Sequence, residues 1–347
     1  MTKWEGYQKG INFGGWLSQC NHTKERYDNF IKEEDFKTVS EWGADHVRIP
    51  VDYNLVETKE GAYKEDGFAY IQNAINWCEK YNLNMILDLH KTMGFSFDVG
   101  EQEDGFFNNE SYQERFYLLW EQFAKRFGKY YKRVAFELLN EVTSPDYMPT
   151  WLSIVEIAIK RIRAIEPNVT IMVGGYYNNS VEAVKDIKLS TYDNIILNFH
   201  CYDPIVFTHQ GAHWVPEMDT EYRTVFPKNA GDYAKEMAHI PFCQNLMSEF
   251  EEMGRREPLI TSAYFEMLFE SAIKTAEEIG VPLYCGEYGV IDRADTTSIL
   301  NWYKMIMEVL KKHDIGRAAW SYREMDFGFV DEHMKPIIED IKKELFA

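Results

Sequence analysis

Glu141 and Glu287 each stand at the carboxyl end of a short apolar segment of the kind that forms a buried strand. The segments are Val134-Ala-Phe-Glu-Leu-Leu-Asn-Glu141 and Val281-Pro-Leu-Tyr-Cys-Gly-Glu-Tyr-Gly289. A carboxylate that leaves a buried segment must pair, take up a proton or reach a cleft, because an isolated buried ion costs several kcal/mol. Two carboxylates that converge in one cleft can cleave a glycosidic bond without metal or cofactor. We therefore expect one site assembled from two distant parts of the chain.

Further residues suited to bind a sugar or move a proton lie at or near the ends of other apolar segments. Taken singly, each has an ordinary explanation: a histidine there is often a satisfied structural group, a tryptophan often packs in a core, and an arginine often pairs inside. Their common placement is typical of an active site at one end of a parallel barrel. These residues are Trp16, Arg48, His90, Asn140, His200, Tyr202 and Trp320.

Strand and helix patterns alternate along the chain. Apolar segments predict eight strands, at residues 10–17, 45–51, 83–90, 134–140, 169–175, 194–200, 281–286 and 316–322. Amphipathic stretches predict helices between most of them, at 33–42, 70–80, 113–127, 151–165, 265–279 and 297–312. Gly43 and Gly280 follow two of these helices, where a C-terminal glycine belongs. Eight strand–helix repeats predict an α/β fold, the (β/α)8 TIM barrel.

The connection between the sixth and seventh strands is far longer than one crossover helix requires. We interpret roughly 204–260 as an inserted subdomain in the strand 6 to helix 6 connection. Loops that follow the strands surround the active end of such barrels, so this cap is expected to wall the cleft. The chain has no Pro/Ser-rich linker and no low-complexity tract. We therefore predict a single catalytic domain over 1–347.

Composition excludes several classes of partner. The net charge of −19 disfavours nucleic acid and anionic membrane surfaces. No stretch approaches the apolar length of a membrane span. Five cysteines without a CxxC motif predict reduced thiols rather than a disulfide framework. The first residues carry no apolar h-region, so we expect a cytoplasmic protein as sequenced, or a secreted one if a leader has been trimmed.

Three motifs carry a resemblance that covers nearly the whole chain. They are Phe136-Glu-Leu-Leu-Asn-Glu141, His200-Cys-Tyr202 and Leu283-Tyr-Cys-Gly-Glu-Tyr-Gly289. The chain resembles glycoside hydrolase family 5, the cellulase-like retaining barrel enzymes. Within that family it looks closest to clostridial single-domain endoglucanases that carry an insertion after strand 6.

The resemblance implies a role for each candidate residue. Glu141 would be the general acid/base and Glu287 the nucleophile, and the ionised Glu287 should raise the pKa of Glu141. The remaining candidates would support or bind: Arg48 and Tyr202 hold Glu287, Asn140 binds the sugar 2-hydroxyl, His90 and His200 contact the sugar and the acid/base region, and Trp320 stacks beneath the sugar.

The resemblance also implies the reaction. The protein would be a retaining endo-β-1,4-glucanase that hydrolyses β-1,4-glucan and mixed-linkage β-glucan, whether polysaccharide or oligosaccharide. The resemblance implies no cofactor and no metal, and we expect a monomer. Tyr176, Tyr177, His209 and Trp214 are further candidate sugar contacts. Lys91 departs from the family, because many relatives carry a second histidine there.

Four alternatives remain open on sequence alone. The same residues serve β-mannanases and exo-acting β-glucanases, because loops rather than fold select the substrate. A metal-dependent hydrolase is an alternative that would use histidines, but HExxH and strand-end His-x-His motifs are missing. A non-catalytic sugar-binding barrel is the last alternative, although decay of that kind predicts the loss of one carboxylate. The histidines in question are His90, His200, His209 and His213.

Overall fold

Eight parallel strands close into a barrel in chain order. The computed structural model describes residues 1–98, 104–238 and 258–347. The first four strands are β1 (Gly10–Asn12), β2 (His46–Asp52), β3 (Asn84–Lys91) and β4 (Val134–Glu137). The last four are β5 (Ile171–Val173), β6 (Ile195–Cys201), β7 (Leu283–Tyr288) and β8 (Gly316–Ala319). Pairing of β1 with β8 closes the ring, so the predicted (β/α)8 barrel is confirmed.

Long helices surround the barrel and follow most of the strands. They span Glu33–Glu41, Glu65–Lys80, Glu110–Phe127, Met148–Arg163, Ser262–Ile279, Thr296–Lys312 and Ile338–Phe346. Shorter helices span Lys24–Asn29, Tyr53–Val56, Ile205–Thr208 and Ala230–Met237. Between β5 and β6 the helical segment is a 3₁₀ helix over Val181–Asp186. The predicted helix positions are confirmed, although several helices begin a few residues earlier than their apolar pattern.

Four strands, β1, β4, β5 and β8, end earlier than the apolar pattern predicts, and β4 shows the reason. Beyond its last residue the chain stays extended and hydrogen-bonds alternately to both neighbours. Leu138 N donates to the Met172 carbonyl at 3.2 Å, and Asn140 N donates to the Leu89 carbonyl at 3.0 Å. Glu141 therefore lies four residues past the strand but still on the barrel rim.

The inside of the barrel is apolar at one end and polar at the other. The apolar end, where the strands begin, is filled by six strand residues and Tyr7: Ile86, Ala135, Met172, Ile196, Tyr284 and Ala318. Toward the carboxyl ends of the strands the inward residues become polar, and they include Asn12, Arg48, Asp88, Glu137 and Asn198. Buried polar groups need partners, so this half of the barrel is the place to look for a site.

Asn12 of β1 connects the first strand of the barrel to the last two. Its Nδ2 donates to the carbonyls of Gly286 in β7 and Ala318 in β8, at 3.0 and 3.1 Å. Its Oδ1 accepts from Arg48 in β2 at 2.9 Å. One fully buried side chain therefore connects four strands across the closure of the barrel.

The predicted cap over 204–260 lies partly outside the described residues. The part that is described packs against the helix Thr296–Lys312. Phe226 N donates to Ser298 Oγ at 2.9 Å, and Asn301 Nδ2 donates to the Phe226 carbonyl at 3.4 Å. Just before the segment, Trp302 donates its indole N–H to the Asp203 carbonyl at 2.8 Å. The identity of this segment as a cap stays a prediction.

Four cysteines are free thiols, as expected: Cys78, Cys201 and Cys285 are buried and Cys20 is partly exposed. Cys243 lies outside the described residues. Across the described ranges, every helix is too short or too polar to cross a bilayer.

Gly280 offers a clean test of the C-terminal glycine assignment. Its φ is +84° and a Cβ there would meet nothing within 4 Å. Replacement by alanine would therefore cost only left-handed backbone strain, about 1 kcal/mol of unfolding free energy. Gly280→Asn should cost less, because asparagine tolerates this conformation. Urea unfolding of the two variants measures the difference, and an alanine variant as stable as the parent would contradict the assignment.

Candidate active site

Arg48 lies at the centre of the polar half of the barrel, and its side chain is fully buried. It holds Glu137 of β4 in a two-point contact, with Nε to Oε2 at 2.6 Å and Nη2 to Oε1 at 3.0 Å. Its Nη1 donates to Oε1 of Glu287 at 2.7 Å. Planar guanidinium matches carboxylates in this way, and charge-assisted bonds of this type are strong. Arg48 thus ties the two glutamate-bearing strands to β2.

The same guanidinium has further partners. It donates to the side-chain oxygens of Asn12 and Asn140, each at 2.9 Å, and its Nη2 lies 3.0 Å from Oδ2 of Asp88. The five N–H groups of an arginine are all used by this set. Arg48 therefore has no freedom to turn, and three carboxylates share one positive charge.

Burial raises the pKa of two of these carboxyl groups. The pKa of Asp88 rises to about 7 although Arg48 lowers it, and the pKa of Glu137 rises for the same reason. Neither residue was among the predicted site residues. The available signal was a charge inside an apolar strand, with Asp88 two residues before His90 on the same face of β3.

Glu287 lies within β7, one residue before its end, and is 5% exposed. Arg48 donates to Oε1, and the Tyr202 hydroxyl donates to Oε2 at 2.9 Å. Each oxygen of this carboxylate therefore has a donor, one of them permanently charged. Those two donors fix the direction of both oxygens.

Glu141 has neutral partners instead. His200 Nδ1 lies 2.8 Å from Oε1, and Asn178 Nδ2 donates to Oε2 at 2.9 Å. Burial, the largest cause, raises the pKa of Glu141 to about 7, while the Asn178 hydrogen bond lowers it. The expected direction is confirmed, but its main cause is burial rather than the expected charge on Glu287, and Asn178 was not among the predicted residues.

His200 stands between the two glutamates. Burial lowers the pKa of this histidine to about 4, so the ring is neutral near pH 7. Asn179 Nδ2 approaches Nε2 at 3.4 Å, which leaves the proton on Nδ1 to be donated to Glu141. One ligand atom from each of Glu141, His200 and Glu287 lies within 4.8 Å of the other two.

His90 and Trp320 lie with their rings parallel, 5.9 Å apart between centroids. Asp88 Oδ2 lies 2.6 Å from His90 Nδ1, which links this pair back to Arg48. Trp320 follows β8 directly and is 6% exposed. Gly14 passes beneath it so closely that a Cβ there would lie 2.5 Å from the indole ring. Glycine at this position is therefore needed for the tryptophan to lie where it does.

Asn140 has one free donor. Its Oδ1 accepts from Arg48, whereas its Nδ2 is buried and has no hydrogen-bond partner among the described residues. A buried unpaired donor costs free energy unless a ligand satisfies it. Its orientation is fixed by Arg48, so Asn140 is prepared to donate to a bound molecule.

The contacts connect all eight predicted site residues into one network, whereas Trp16 does not belong to it. Trp16 is fully buried and donates its indole N–H to the Tyr27 carbonyl at 2.9 Å. It also stacks on Trp77. The prediction that Trp16 grips a sugar is wrong, because the chain turns after β1 and places this ring in the core between barrel and helices.

The further candidates lie around the same end of the barrel. The His209 ring contacts that of Tyr202 at 5.0 Å and lies 6.1 Å from that of Trp214. Tyr177 is 47% exposed beside Asn178. Tyr176 is partly buried and donates its hydroxyl hydrogen to Asp186 Oδ2 at 2.6 Å. The contact of these four residues with a sugar stays a prediction. Lys91, which departs from the family pattern, is buried at the end of β3.

The cluster of Glu141, His200 and Glu287 has the residue types of a metal site. Its surroundings do not fit a cation, because the Arg48 guanidinium lies 2.7 Å from Glu287. The Tyr202 hydroxyl and the Asn178 amide also donate hydrogen atoms to these carboxylates, whereas a metal needs their lone pairs. Both carboxyl groups are therefore held by hydrogen-bond donors rather than arranged around an ion.

Comparison with known proteins finds similar sequences and similar folds over most of the chain. The family model described as "Cellulase (glycosyl hydrolase family 5)" matches residues 7–326. Cellodextrinase A of Ruminococcus flavefaciens is 45% identical over 329 residues, covering 95% of this chain and 89% of the relative. Endoglucanase C of Acetivibrio thermocellus is 37% identical over 340 residues, covering 96% of each chain. Among solved structures, endoglucanase Cel5A of Thermotoga maritima has a TM-score of 0.73 at 25% identity, covering 98% of this chain and 97% of that one.

The raised pKa of Glu141 predicts how stability changes with pH. A carboxyl whose pKa is higher in the folded state binds its proton more tightly there, so its contribution to stability is lost as pH rises toward 7. Glu141→Gln removes this contribution with little change of shape. Between pH 5 and 6.5 the parent should lose stability relative to the variant by about 1.4 kcal/mol per pH unit. Urea unfolding at several pH values measures this, and a constant difference would show that Glu141 titrates normally.

Proposed function

Because the chain belongs to glycosyl hydrolase family 5 and is a glycoside hydrolase, we propose that it cleaves β-1,4-glucan chains by a retaining double displacement. Glu141 is the proposed general acid/base and Glu287 the proposed nucleophile. The observation that carries this proposal is the approach of their carboxyl groups, with one oxygen of each within 4.8 Å. Retaining enzymes hold the two groups about 5–5.5 Å apart, and inverting enzymes about 6.5–9.5 Å.

In the first step Glu287 Oε attacks the anomeric carbon. The bond from that carbon to the glycosidic oxygen breaks, and Glu141 gives its proton to the departing oxygen. A covalent glycosyl-enzyme forms with inverted configuration, and Glu141 is left ionised. Arg48 and Tyr202 hold the Glu287 carboxylate in a fixed orientation for the attack through their hydrogen bonds to its two oxygens.

In the second step Glu141 takes a proton from water as the water oxygen attacks the anomeric carbon. The bond to Glu287 breaks, the configuration is restored, and both glutamates return to their starting states. A carboxyl with a pKa of about 7 exchanges its proton readily near neutral pH, as an acid/base that serves both steps requires.

The remaining residues are proposed to bind the sugar. The free Nδ2 of Asn140 is positioned to donate to the 2-hydroxyl, an interaction that strengthens as the oxocarbenium-like transition state forms. Trp320 offers an apolar ring face beneath the sugar, where stacking buries apolar area. His90 lies against that ring and is proposed to contact the same sugar.

For the substrate, the names of the two relatives support a β-1,4-glucan, either a polymer or a short oligosaccharide. Mixed-linkage β-glucan is included in the proposal, because loops rather than the catalytic residues select the linkage. Preferential cleavage of β-mannan, or release of units from the ends of β-glucan, would replace the proposed activity with one of the alternatives. The non-catalytic alternative loses support, since both carboxylates are present with donors on each oxygen.

The roles of the two glutamates are testable by chemical rescue. Glu141→Gln and Glu287→Gln should each lower kcat on β-glucan by about 100-fold or more, because each removes a group that acts in the chemical step. With an activated aryl β-cellobioside and azide, Glu287→Gly should yield the α-glycosyl azide. Glu141→Gly should yield the β-azide, because azide then intercepts the covalent intermediate. NMR identifies the anomers, circular dichroism controls for folding, and exchanged anomers would reverse the roles.

The substrate proposal is tested by product analysis on barley β-glucan, carboxymethylcellulose, cello-oligosaccharides, galactomannan and laminarin. We expect cleavage of the β-1,4-glucans, because the names of the two relatives point to that substrate. Rapid loss of β-glucan viscosity would mark endo action, and release of short units from chain ends would mark exo action. Glu287→Gln serves as the blank for contaminating activity. A preference for galactomannan or laminarin would overturn the β-1,4-glucan assignment while leaving the mechanism intact.

A further inference from the structure

A strained turn follows β5 and faces Glu141. Three successive residues, Tyr177, Asn178 and Asn179, have φ of 48°, 57° and 56°, in the left-handed region that non-glycine residues rarely adopt. Glu141 itself has φ of 41°. Strain of this kind persists only where the surrounding structure holds it, and it is concentrated at functional sites.

The turn is bonded to the segment that carries Glu141 at two points. The backbone N–H of Asn178 donates to the Val142 carbonyl at 3.0 Å, and its side-chain Nδ2 donates to Oε2 of Glu141 at 2.9 Å. The next residue, Asn179, is fully buried and its amide approaches His200, which in turn binds Oε1. Two adjacent asparagines therefore contact the Glu141 carboxyl. Asn178 donates directly to Oε2, and Asn179 contacts His200, which binds Oε1.

Two glycines at the start of the turn allow the close packing that brings the asparagines inward. A Cβ on Gly174 would lie 2.1 Å from the Asn179 side chain, and one on Gly175 would lie 2.7 Å from the Ala183 side chain. The two glycines thus let the chain pass close enough for the asparagines to reach inward. Asparagine is also the residue type other than glycine that best tolerates a left-handed backbone.

We infer that Asn178 is a positioning residue for the acid/base, which holds the Glu141 carboxyl in the orientation for proton transfer and stabilises its ionised form between the two chemical steps. This inference rests on the proposed function. When Glu141 has given up its proton, the carboxylate accepts hydrogen bonds from Asn178 and from neutral His200. The loss of either donor leaves charge on a buried oxygen without compensation.

The consequence is a defined change in the pH profile. A donor to the ionised form lowers the pKa of a carboxyl, so its removal must raise the pKa of Glu141. Glu141 must be protonated for the first step, and its pKa sets the basic limb of kcat/KM. Without Asn178 the basic limb should move to higher pH. The value of kcat should fall, because the Glu141 carboxyl is no longer held in one orientation and is a weaker acid.

The test compares Asn178→Gly with Asn178→Asp. Glycine keeps the left-handed backbone and removes only the amide, whereas aspartate keeps the shape and replaces the donor with a second carboxyl. On a soluble β-glucan, we expect the basic limb to rise by about 0.5–1 pH unit in the glycine variant and further in the aspartate variant. We expect kcat to fall by roughly tenfold, with KM changed less.

Asn194→Gly is the matched control. Asn194 is exposed, lies outside the site and has φ of 49°, so it reproduces the same exchange at a left-handed position. Its pH profile should equal that of the parent. If Asn178→Gly lowers kcat without moving the basic limb, Asn178 is merely structural and the inference is wrong.

The failure of this inference and of the proposed function are distinguishable. The azide experiment on Glu141→Gly and Glu287→Gly does not depend on Asn178. Correct anomers together with an unmoved limb in Asn178→Gly would reject Asn178 alone. Absence of azide products in both glutamate variants would reject the catalytic assignment and this inference with it.

Discussion

The neutralisation of one buried guanidinium is the constraint on which the rest of the site depends. Arg48 meets Asp88, Glu137 and Glu287 in a region without solvent, and its remaining N–H groups go to two asparagines. The desolvation of such a set is expensive, and it is repaid only when every partner lies in place. The strands that carry these partners must therefore hold a fixed register, so the same contacts that aim the functional groups also select one arrangement of the barrel.

Two chemically identical side chains acquire different properties from their neighbours. Glu287 receives hydrogen bonds from a permanent cation and a phenol, whereas Glu141 receives them from an amide and a neutral imidazole. The environment, not the residue type, gives Glu287 a charged donor and raises the pKa of Glu141 to about 7. His200 contacts Glu141 at 2.8 Å and lies 3.7 Å from Glu287, so it also fixes the spacing between the two.

The fold could be predicted from the sequence for two reasons. Buried parallel strands are continuous apolar segments, and the apolar residues between them recur with the spacing of a helix. The placement of His90, His200 and Glu287 could be predicted for the first of these reasons, since each lies in or at the end of an apolar segment. Strand ends could not be predicted from apolar residues alone. The segment between β4 and Glu141 is as apolar as the paired strand residues that precede it. Asn178 was also missed, since its importance arises from backbone conformation and from contact with a residue distant in sequence.

Asn12 gives the barrel closure a consequence for biosynthesis. This side chain, in the first strand, bonds to carbonyls of the seventh and eighth strands and supports Arg48 through its remaining oxygen. Of the eight strands, β1 is synthesised first and β8 last. Arg48 therefore lacks part of its support until β8 has been synthesised. The complete set of contacts around its guanidinium forms only when the first and last strands meet.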